Sequence, residues 1–278
     1  MSGKLTTLLE NTSNSDDLIA EHGLSIYMET QGHIILFDTG QSNALIHNAG
    51  QLGVSLSSVD TIVLSHGHYD HTGGIRSLLQ SESPKRVVVG KEFFAPKYAE
   101  DRGNTRFIGV DFSLSELTQA GWTCDVAEKS PYPLYDLDDG IWIVTDFPRK
   151  DPYELIPERF IQKDQQGVKH PDMFTDEILL VIETSKGLLV IVGCSHPGII
   201  NMLTEVKRLF HKPIYGLIGG THLRSAADDH IDHVAEFFKT ESISLLGVSH
   251  CTGEHALFRL RNSGLDIFAN NTGTVVEW

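Results

Sequence analysis

Apolar runs separated by turn residues set out the first third of the chain. Lys4 to Leu9 reads as a first strand, stopped by the polar run Asn11 to Asp17. Leu24 to Glu29 and His33 to Phe37 are two β-rich runs around Gln31-Gly32, the pattern of a hairpin. The second run ends in the turn residues Asp38-Thr39-Gly40. A helix is predicted from Asn43 to about Leu52, with Gly53 beyond its end. Thr61 to Leu64 is a further apolar strand. It runs into Ser65-His66-Gly67-His68-Tyr69-Asp70-His71-Thr72-Gly73-Gly74, and Ile75 to Leu79 opens a helix behind that loop.

The second half repeats this logic. Ile178 to Glu183 and Leu188 to Val192 flank Ser185-Lys186-Gly187 as another apolar hairpin. Its second strand ends in Gly193-Cys194-Ser195-His196-Pro197-Gly198, before an amphipathic helix from Ile199 to about Phe210. Ile214 to Ile218 is a strand leading into Gly219-Gly220-Thr221-His222-Leu223, and a helix spans Asp229 to Lys239. The strand Ile243 to Val248 ends in Ser249-His250-Cys251-Thr252-Gly253. A last helix, Glu254 to Arg261, and strands at Leu265–Phe268 and Thr274–Glu277 follow.

Between the halves the pattern is less regular. A strand at Val87-Val88-Val89, a helix at Ser113 to Ala120 and a strand at Ile141 to Val144 stand out. Around them lie Pro- and aromatic-rich stretches: Phe93 to Pro96, Pro131-Tyr132-Pro133, and Phe147 through Phe160. These read as long loops over residues 92–175 that cross one face and either carry substrate contacts or cover a site, or else form a surface excursion with its own small core. No linker separates the halves. The expectation is therefore one domain over residues 1–278, an α/β (α+β) fold with two mixed sheets packed face to face and helices outside.

Composition narrows the partners. The 278 residues are 40% hydrophobic and 21% charged, which is ordinary for a globular protein. With 22 Lys and Arg against 37 Asp and Glu, the formal charge of -15 argues against a nucleic-acid backbone as main partner. A small-molecule substrate is expected. An anionic one stays compatible, because a bound divalent metal can dominate the local field. Three cysteines give no disulfide framework. No apolar run reaches membrane-spanning length and no secretory signal is visible, so no membrane partner and a cytoplasmic location are expected. The oligomeric state is open, a homodimer included.

The chemistry lies in the histidines. In four places an apolar strand runs out into a turn that holds one: His66/His68, His196, His222 and His250. Ligand sites in α/β folds lie beyond strand ends, where loops converge. His66 and His68 are two apart, so in an extended loop both point to one side and can share a metal. Asp70 and His71, displaced by the turn into the helix, can serve a second metal beside it. Imidazole and carboxylate donors suit Zn, Fe, Mn or Ni, and no cluster of thiolates offers an all-cysteine structural site.

Ser65-His66-Gly67-His68-Tyr69-Asp70-His71 resembles the signature of the metallo-β-lactamase-fold superfamily, and Phe37-Asp38-Thr39-Gly40 resembles its upstream turn. Ala20 to Ser25 and the loops around Cys194, His222 and His250 are similar to one branch of metal-dependent hydrolases. That branch, β-lactamase superfamily II, is named for dihydropterin-ribofuranosylaminobenzene-phosphate synthase. The resemblance covers nearly the whole chain. It implies the αβ/βα sandwich and two divalent transition-metal ions, Zn foremost with Mn, Fe or Ni as alternatives. It also implies that His66, His68 and His196 hold one ion, and that Asp70, His71 and His250 hold the other. Many members carry a bridging Asp where this chain has Cys194, which either ligates as thiolate or is a small buried residue. His222 is a substrate-binding or proton-transfer residue, a ligand or a structural histidine. Asp38 orients a ligand from behind, and Cys251 packs inward. The other histidines, His22 and His230 among them, are expected to face solvent, with His170 near enough to reach the site.

These residues imply a hydrolase in which a metal-bound hydroxide attacks a small ester, lactone, thioester or phosphoester. Asp70 orients that hydroxide, and His222 donates to the leaving group or substrate. The alternative is the condensing reaction for which the branch is named, although no Gly-rich phosphate loop supports it independently. A di-iron redox protein would have a carboxylate where His68 stands, and a superfamily nuclease would need RNA-binding regions that this charge does not favour. A binding module without activity would have lost ligands, yet the first motif is intact.

Overall fold

The computed structural model describes residues 2–81, 83–164 and 166–278; Met1, Glu82 and Gln165 lie outside the described residues. Two seven-stranded sheets dominate. The first runs in the order Val275–Glu277, Gly3–Leu9, Ser25–Thr30, His33–Phe37, Thr61–Val63, Arg86–Val89, Thr123–Val126. The second runs Ile267–Ala269, Leu245–Val248, Ile214–Gly219, Gly187–Val192, Leu179–Thr184, Ile141–Val144, Tyr132–Pro133.

Each sheet is half antiparallel and half parallel, which explains the repeated logic of the sequence. Hairpins need only short turns, as at Gln31-Gly32, where both residues take positive φ (56° and 83°). Parallel neighbours need crossovers, and these supply the helices. Period-two alternation then sorts the side chains. Ile35, Phe37, Leu189 and Ile191 enter the core between the sheets, while Leu36 and Val190 point outward under helices. Helices Ala44–Gln51, Ile75–Ser81 and Leu114–Gln119 cover the first sheet. Helices Ile199–Phe210, Asp228–Thr240 and Glu254–Asn262 cover the second. Both faces of the sheets are thereby buried, and the strands read as continuous apolar runs. The two-sheet sandwich expected from the sequence is the observed fold.

The stretch read as long loops differs. Lys97–Asp101, Asn104–Phe107, Phe160–Lys163 and Lys169–Pro171 form a third, antiparallel sheet of four short strands. Asn104–Phe107 and Lys169–Pro171 are exposed and Lys97–Asp101 and Phe160–Lys163 only partly buried, so no strand period shows, and only a small cluster of Ala99, Ile108, Phe160 and Phe174 lies beneath them. One signal was present. Asp101-Arg102-Gly103-Asn104 is a two-residue hairpin turn with φ of 50° and 83° at its centre.

Glu154 ties this excursion to the second sheet. Helix Ile199–Phe210 starts at Gly198 without a side-chain cap of its own. Glu154 fills that role from outside, accepting from the backbone N–H of Ile200 (2.7 Å) and Asn201 (2.8 Å). Asn201 in return accepts from the N–H of Lys150 and Asp151. Glu154→Ala is expected to lower stability at neutral pH by about 1–2 kcal/mol, the usual worth of a lost cap, in urea denaturation. Burial pushes the Glu154 carboxyl up from 4.5 to about 7. The native state then holds this proton longer than the unfolded chain, so the group lowers stability as pH rises from 4.5 to about 7. Glu154→Gln should remove that part of the slope. An unchanged slope would contradict the assignment.

Candidate metal centre

Five strands end on the same side, and each end carries its polar residues into one place. Buried carboxylates pin three of these ends by accepting backbone N–H groups, two of them on the loop after Thr61–Val63. Asp38, after His33–Phe37, accepts from the N–H and hydroxyl of Ser65, both at 2.7 Å. Asp176 accepts from the N–H of Gly67 at 2.7 Å. Glu177 accepts from Ser195 (2.6 Å) and His196 (3.0 Å). Glu10 accepts from the N–H of His250. Asp38, Ser195, His222 and His250 all have φ between 53° and 63°, a left-handed conformation that turns each strand end sharply into the site. Two glycines allow the crowding. A Cβ on Gly67 would meet the Phe93 carbonyl at 2.5 Å, and one on Gly193 would meet the Ser65 hydroxyl at 2.1 Å.

The donors converge in two adjoining sets. His66 Nε2 and His68 Nδ1 stand 3.0 Å apart, and a ring nitrogen of His196 lies within 4.8 Å of both. Beside them, His71 Nε2 is 3.3 Å from His250 Nε2 and 4.0 Å from Asp70 Oδ2, and His250 Nε2 is 3.3 Å from that same oxygen. The Cys194 thiol sits at the junction, 3.3 Å from His71 Nε2 and grouped with His66 as well. Cys251 donates to the Cys194 carbonyl at 3.2 Å. Asp38 takes the far nitrogen of His71 at 2.6 Å and so fixes which nitrogen faces the site.

The residues fit a divalent transition metal. Burial drives His66, His68 and His196 well below the usual imidazole range, and holds His250 at about 4. These rings are therefore neutral, the form that donates a lone pair. Both ring nitrogens of His196 are buried without a hydrogen-bond partner among the described residues. Such orphans cost free energy unless something takes them up. His71 differs: burial opposes its charge, but the Asp38 carboxylate outweighs burial and lifts it to about 9. Burial also disfavours the Asp70 anion, but hydrogen bonds from His22 and His250 more than offset this, and its carboxyl falls well below the ordinary range.

Above the donors opens a cavity of about 420 Å³, within the size range of small-molecule sites. The third sheet and the segment before it form one wall, through Ala99, Arg106, Tyr153, Arg159 and Phe160. Phe174 stacks on His196, 4.0 Å between ring centres and 8° from parallel.

The structure thus brings together His66, His68, Asp70, His71, His196 and His250. His222 lines the cavity with its ring 4.4 Å from that of His196. Asp38 stands behind His71, as expected. Cys251 is buried, as expected, yet also touches the cavity. Two histidines expected to face solvent alone belong to the site: His22 lies 3.0 Å from Asp70, and His230 lines the cavity with a buried Nε2 that has no hydrogen-bond partner among the described residues. His170 does not reach it. This ring is exposed and pairs with Asp164 at 3.1 Å. Sequence reasoning missed the pinning carboxylates Glu10, Asp176 and Glu177, and the fully buried Lys97, which bridges Asp172 and Asp176 at 2.9 Å each. Lys97 was visible only as one charge in an irregular stretch.

Comparison with known proteins agrees with this geometry. Residues 19–173 match the family model described as the metallo-beta-lactamase superfamily. The chain is 34% identical over 254 residues to an uncharacterized protein of Methanocaldococcus jannaschii, across 91% of this chain and 92% of that one. It is 28% identical over 275 residues to the 7,8-dihydropterin-6-methyl-4-(beta-D-ribofuranosyl)-aminobenzene-5'-phosphate synthase of the same organism, across 95% of this chain and 91% of the other. The crystal structure of Tm1679, a metal-dependent hydrolase of the beta-lactamase superfamily, superposes with a TM-score of 0.85 at 29% identity. It covers 99% of this chain and 98% of its own.

Lys97 tests how the site is held. Its ammonium stays charged because the two carboxylates outweigh burial. Replacing it leaves Asp172 and Asp176 buried without their cation, a loss of about 3–5 kcal/mol. Lys97→Met should show that loss in denaturant unfolding, whereas Asp176→Asn, which keeps an acceptor for Gly67, should cost less. Equal losses, or none for Lys97→Met, would contradict this account.

Proposed function

The chain belongs to the metallo-β-lactamase superfamily, and from that membership we propose that it is a metal-dependent hydrolase of small ester, lactone or phosphoester substrates. The family implies divalent metal. The proposal assigns two ions, zinc foremost, one to His66, His68 and His196 and the other to Asp70, His71 and His250. One observation carries it most: neutral imidazoles and one carboxylate point into the floor of a cavity, and His196 has no other use for its nitrogens. When bound, divalent metal polarises a substrate oxygen and acidifies water.

The chain's own residues then account for positioning. Asp70 is ionised and held by His22 (3.0 Å) and His250 (3.3 Å), so one carboxylate oxygen is fixed toward the site and can orient an attacking water. His222 is neutral, lowered to about 4 first by burial and then by Arg159 and Arg224. Its ring N–H can therefore donate a hydrogen bond to a substrate or leaving-group oxygen. Phe160, Phe174 and the third sheet limit bulk water over the reacting centre. Cys194, at the junction of the donor sets, is read as a thiol close enough to join them.

The condensing synthase is the second reading, because the relative bearing that name matches along 95% of this chain. A panel of 4-nitrophenyl esters, lactones and phosphodiesters, run with the metal-loaded protein, separates the two. Hydrolysis is expected for at least one class, and His66→Ala or His196→Ala should lower kcat by about 10³-fold or more, the scale of losing an electrostatic stabiliser. His222→Gln should cost about 10–100-fold, mostly in kcat. Turnover untouched by the His66 and His196 changes would sink the hydrolase reading. A pterin adduct formed without water consumption would favour the synthase.

A further inference from the structure

Two helices over the second sheet begin in the same way. Ile199–Phe210 starts after Gly198 (φ 99°) and Glu254–Asn262 after Gly253 (φ 78°), and neither glycine has a side chain with which to cap. The first helix is capped from outside by the Glu154 carboxylate, which also fills the space beside Gly198, where a Cβ would meet Glu154 Oε2 at 2.1 Å. The second has no such partner. Among the described residues no side chain accepts from the backbone N–H groups of Glu254, His255 or Ala256. In place of a carboxylate there is a cavity of about 590 Å³.

This cavity is distinct from the one above the metal donors, although His250 and Arg224 line both. It lies beyond the carboxyl ends of the parallel neighbours Leu245–Val248 and Ile267–Ala269, which the helix Glu254–Asn262 connects. Ligands of α/β folds bind in that position, with anions at the helix N-terminus. Ser249 points to an occupant. It lines the cavity, is only 6% exposed, and its hydroxyl has no hydrogen-bond partner among the described residues.

The charges around the cavity define the ligand further. Arg224 donates to the His250 carbonyl at 2.9 Å and meets no carboxylate among the described residues. His255 is already paired with Asp228 at 2.8 Å. Glu10 and Glu254 oppose an anion. Both oxygens of Glu10 are committed to the N–H groups of His250 and Thr12, and Glu254 is exposed. Arg224 beside two carboxylates suits a monoanion and disfavours a dianion such as phosphate. Val248, Leu257 and Ala269 make one side of the lining apolar.

We propose that this cavity binds a small monocarboxylate with a short apolar tail. The carboxylate caps Glu254–Asn262 as Glu154 caps Ile199–Phe210, with the Ser249 hydroxyl and Arg224 as further donors. The tail lies against Val248, Leu257 and Ala269. The occupant sits beside His250 and outside the cavity over the metal donors, so the site stands whatever reaction that centre performs.

The test is the amide spectrum of the isotope-labelled full chain, loaded with zinc and titrated at constant ionic strength with hexanoate, acetate, hexanamide and inorganic phosphate. Hexanoate should shift the signals of Glu254, His255 and Ala256 most. It should bind about tenfold or more tighter than acetate, because its longer chain buries more apolar surface, and should outbind hexanamide and phosphate at these signals. Ser249→Ala breaks no hydrogen bond within the protein, so without ligand it should leave the urea midpoint unchanged or raised, while weakening hexanoate by about tenfold. Arg224→Gln should weaken hexanoate by a similar factor. A response centred on His222 and Tyr69, no response at the helix start, equal binding of hexanamide, tighter binding of phosphate, or an affinity untouched by both substitutions would overturn the proposal.

Discussion

Imidazoles packed together away from water are a poor arrangement unless a cation takes their lone pairs. His66, His68, His71, His196 and His250 are all nearly or fully buried, and Asp70 and Cys194 share the same space. Burial is the main cause that holds four of the rings neutral, and His71 departs chiefly because Asp38 stands behind it. A fold that merely needed filling there would place apolar side chains, which pack without a desolvation cost. The rest of the structure can be understood as the means of holding these donors in place.

That means is a repeated device. Each ligand-bearing loop leaves a buried parallel strand, turns sharply, and is fixed by a buried carboxylate that accepts a backbone N–H at or beside the histidine. Asp38, Asp176, Glu177 and Glu10 do this for Ser65, Gly67, Ser195/His196 and His250. Glu177 and Asp176 are adjacent, so one turn before the strand Leu179–Thr184 pins loops from both sheets. Lys97 balances Asp176 and thereby links the third sheet to the same turn. The cavity wall and cavity floor are mechanically one unit.

Much of this was legible in the chain. Apolar runs ending in Gly/Ser turns with a histidine are local features, and they located the strands and the candidate donors at their ends, because both sheet faces are buried; the division of His196 and His250 between two sets came from the family resemblance. His66, His68, Asp70 and His71 could be paired from spacing alone. What was illegible depends on distant partners. Glu10, Asp176, Glu177 and Lys97 look like any surface charge until the fold buries them. His22 and His230 lack a strand-end context, and only the folded arrangement carries them to the cavity. The third sheet escaped because its strands are three to five residues long and two of the four are wholly exposed, so no period marks them.

The central claim is that these strand ends collect divalent metal, and metal content tests it most directly. The full chain, dialysed against zinc and then freed of excess, should retain about two ions per chain by elemental analysis. Changing His66 and His196 to Ala should remove one ion, and changing His71 and His250 to Ala the other, with the fold retained by circular dichroism. Retention of less than about one ion by the unchanged protein, or equal retention by all three, would contradict the account.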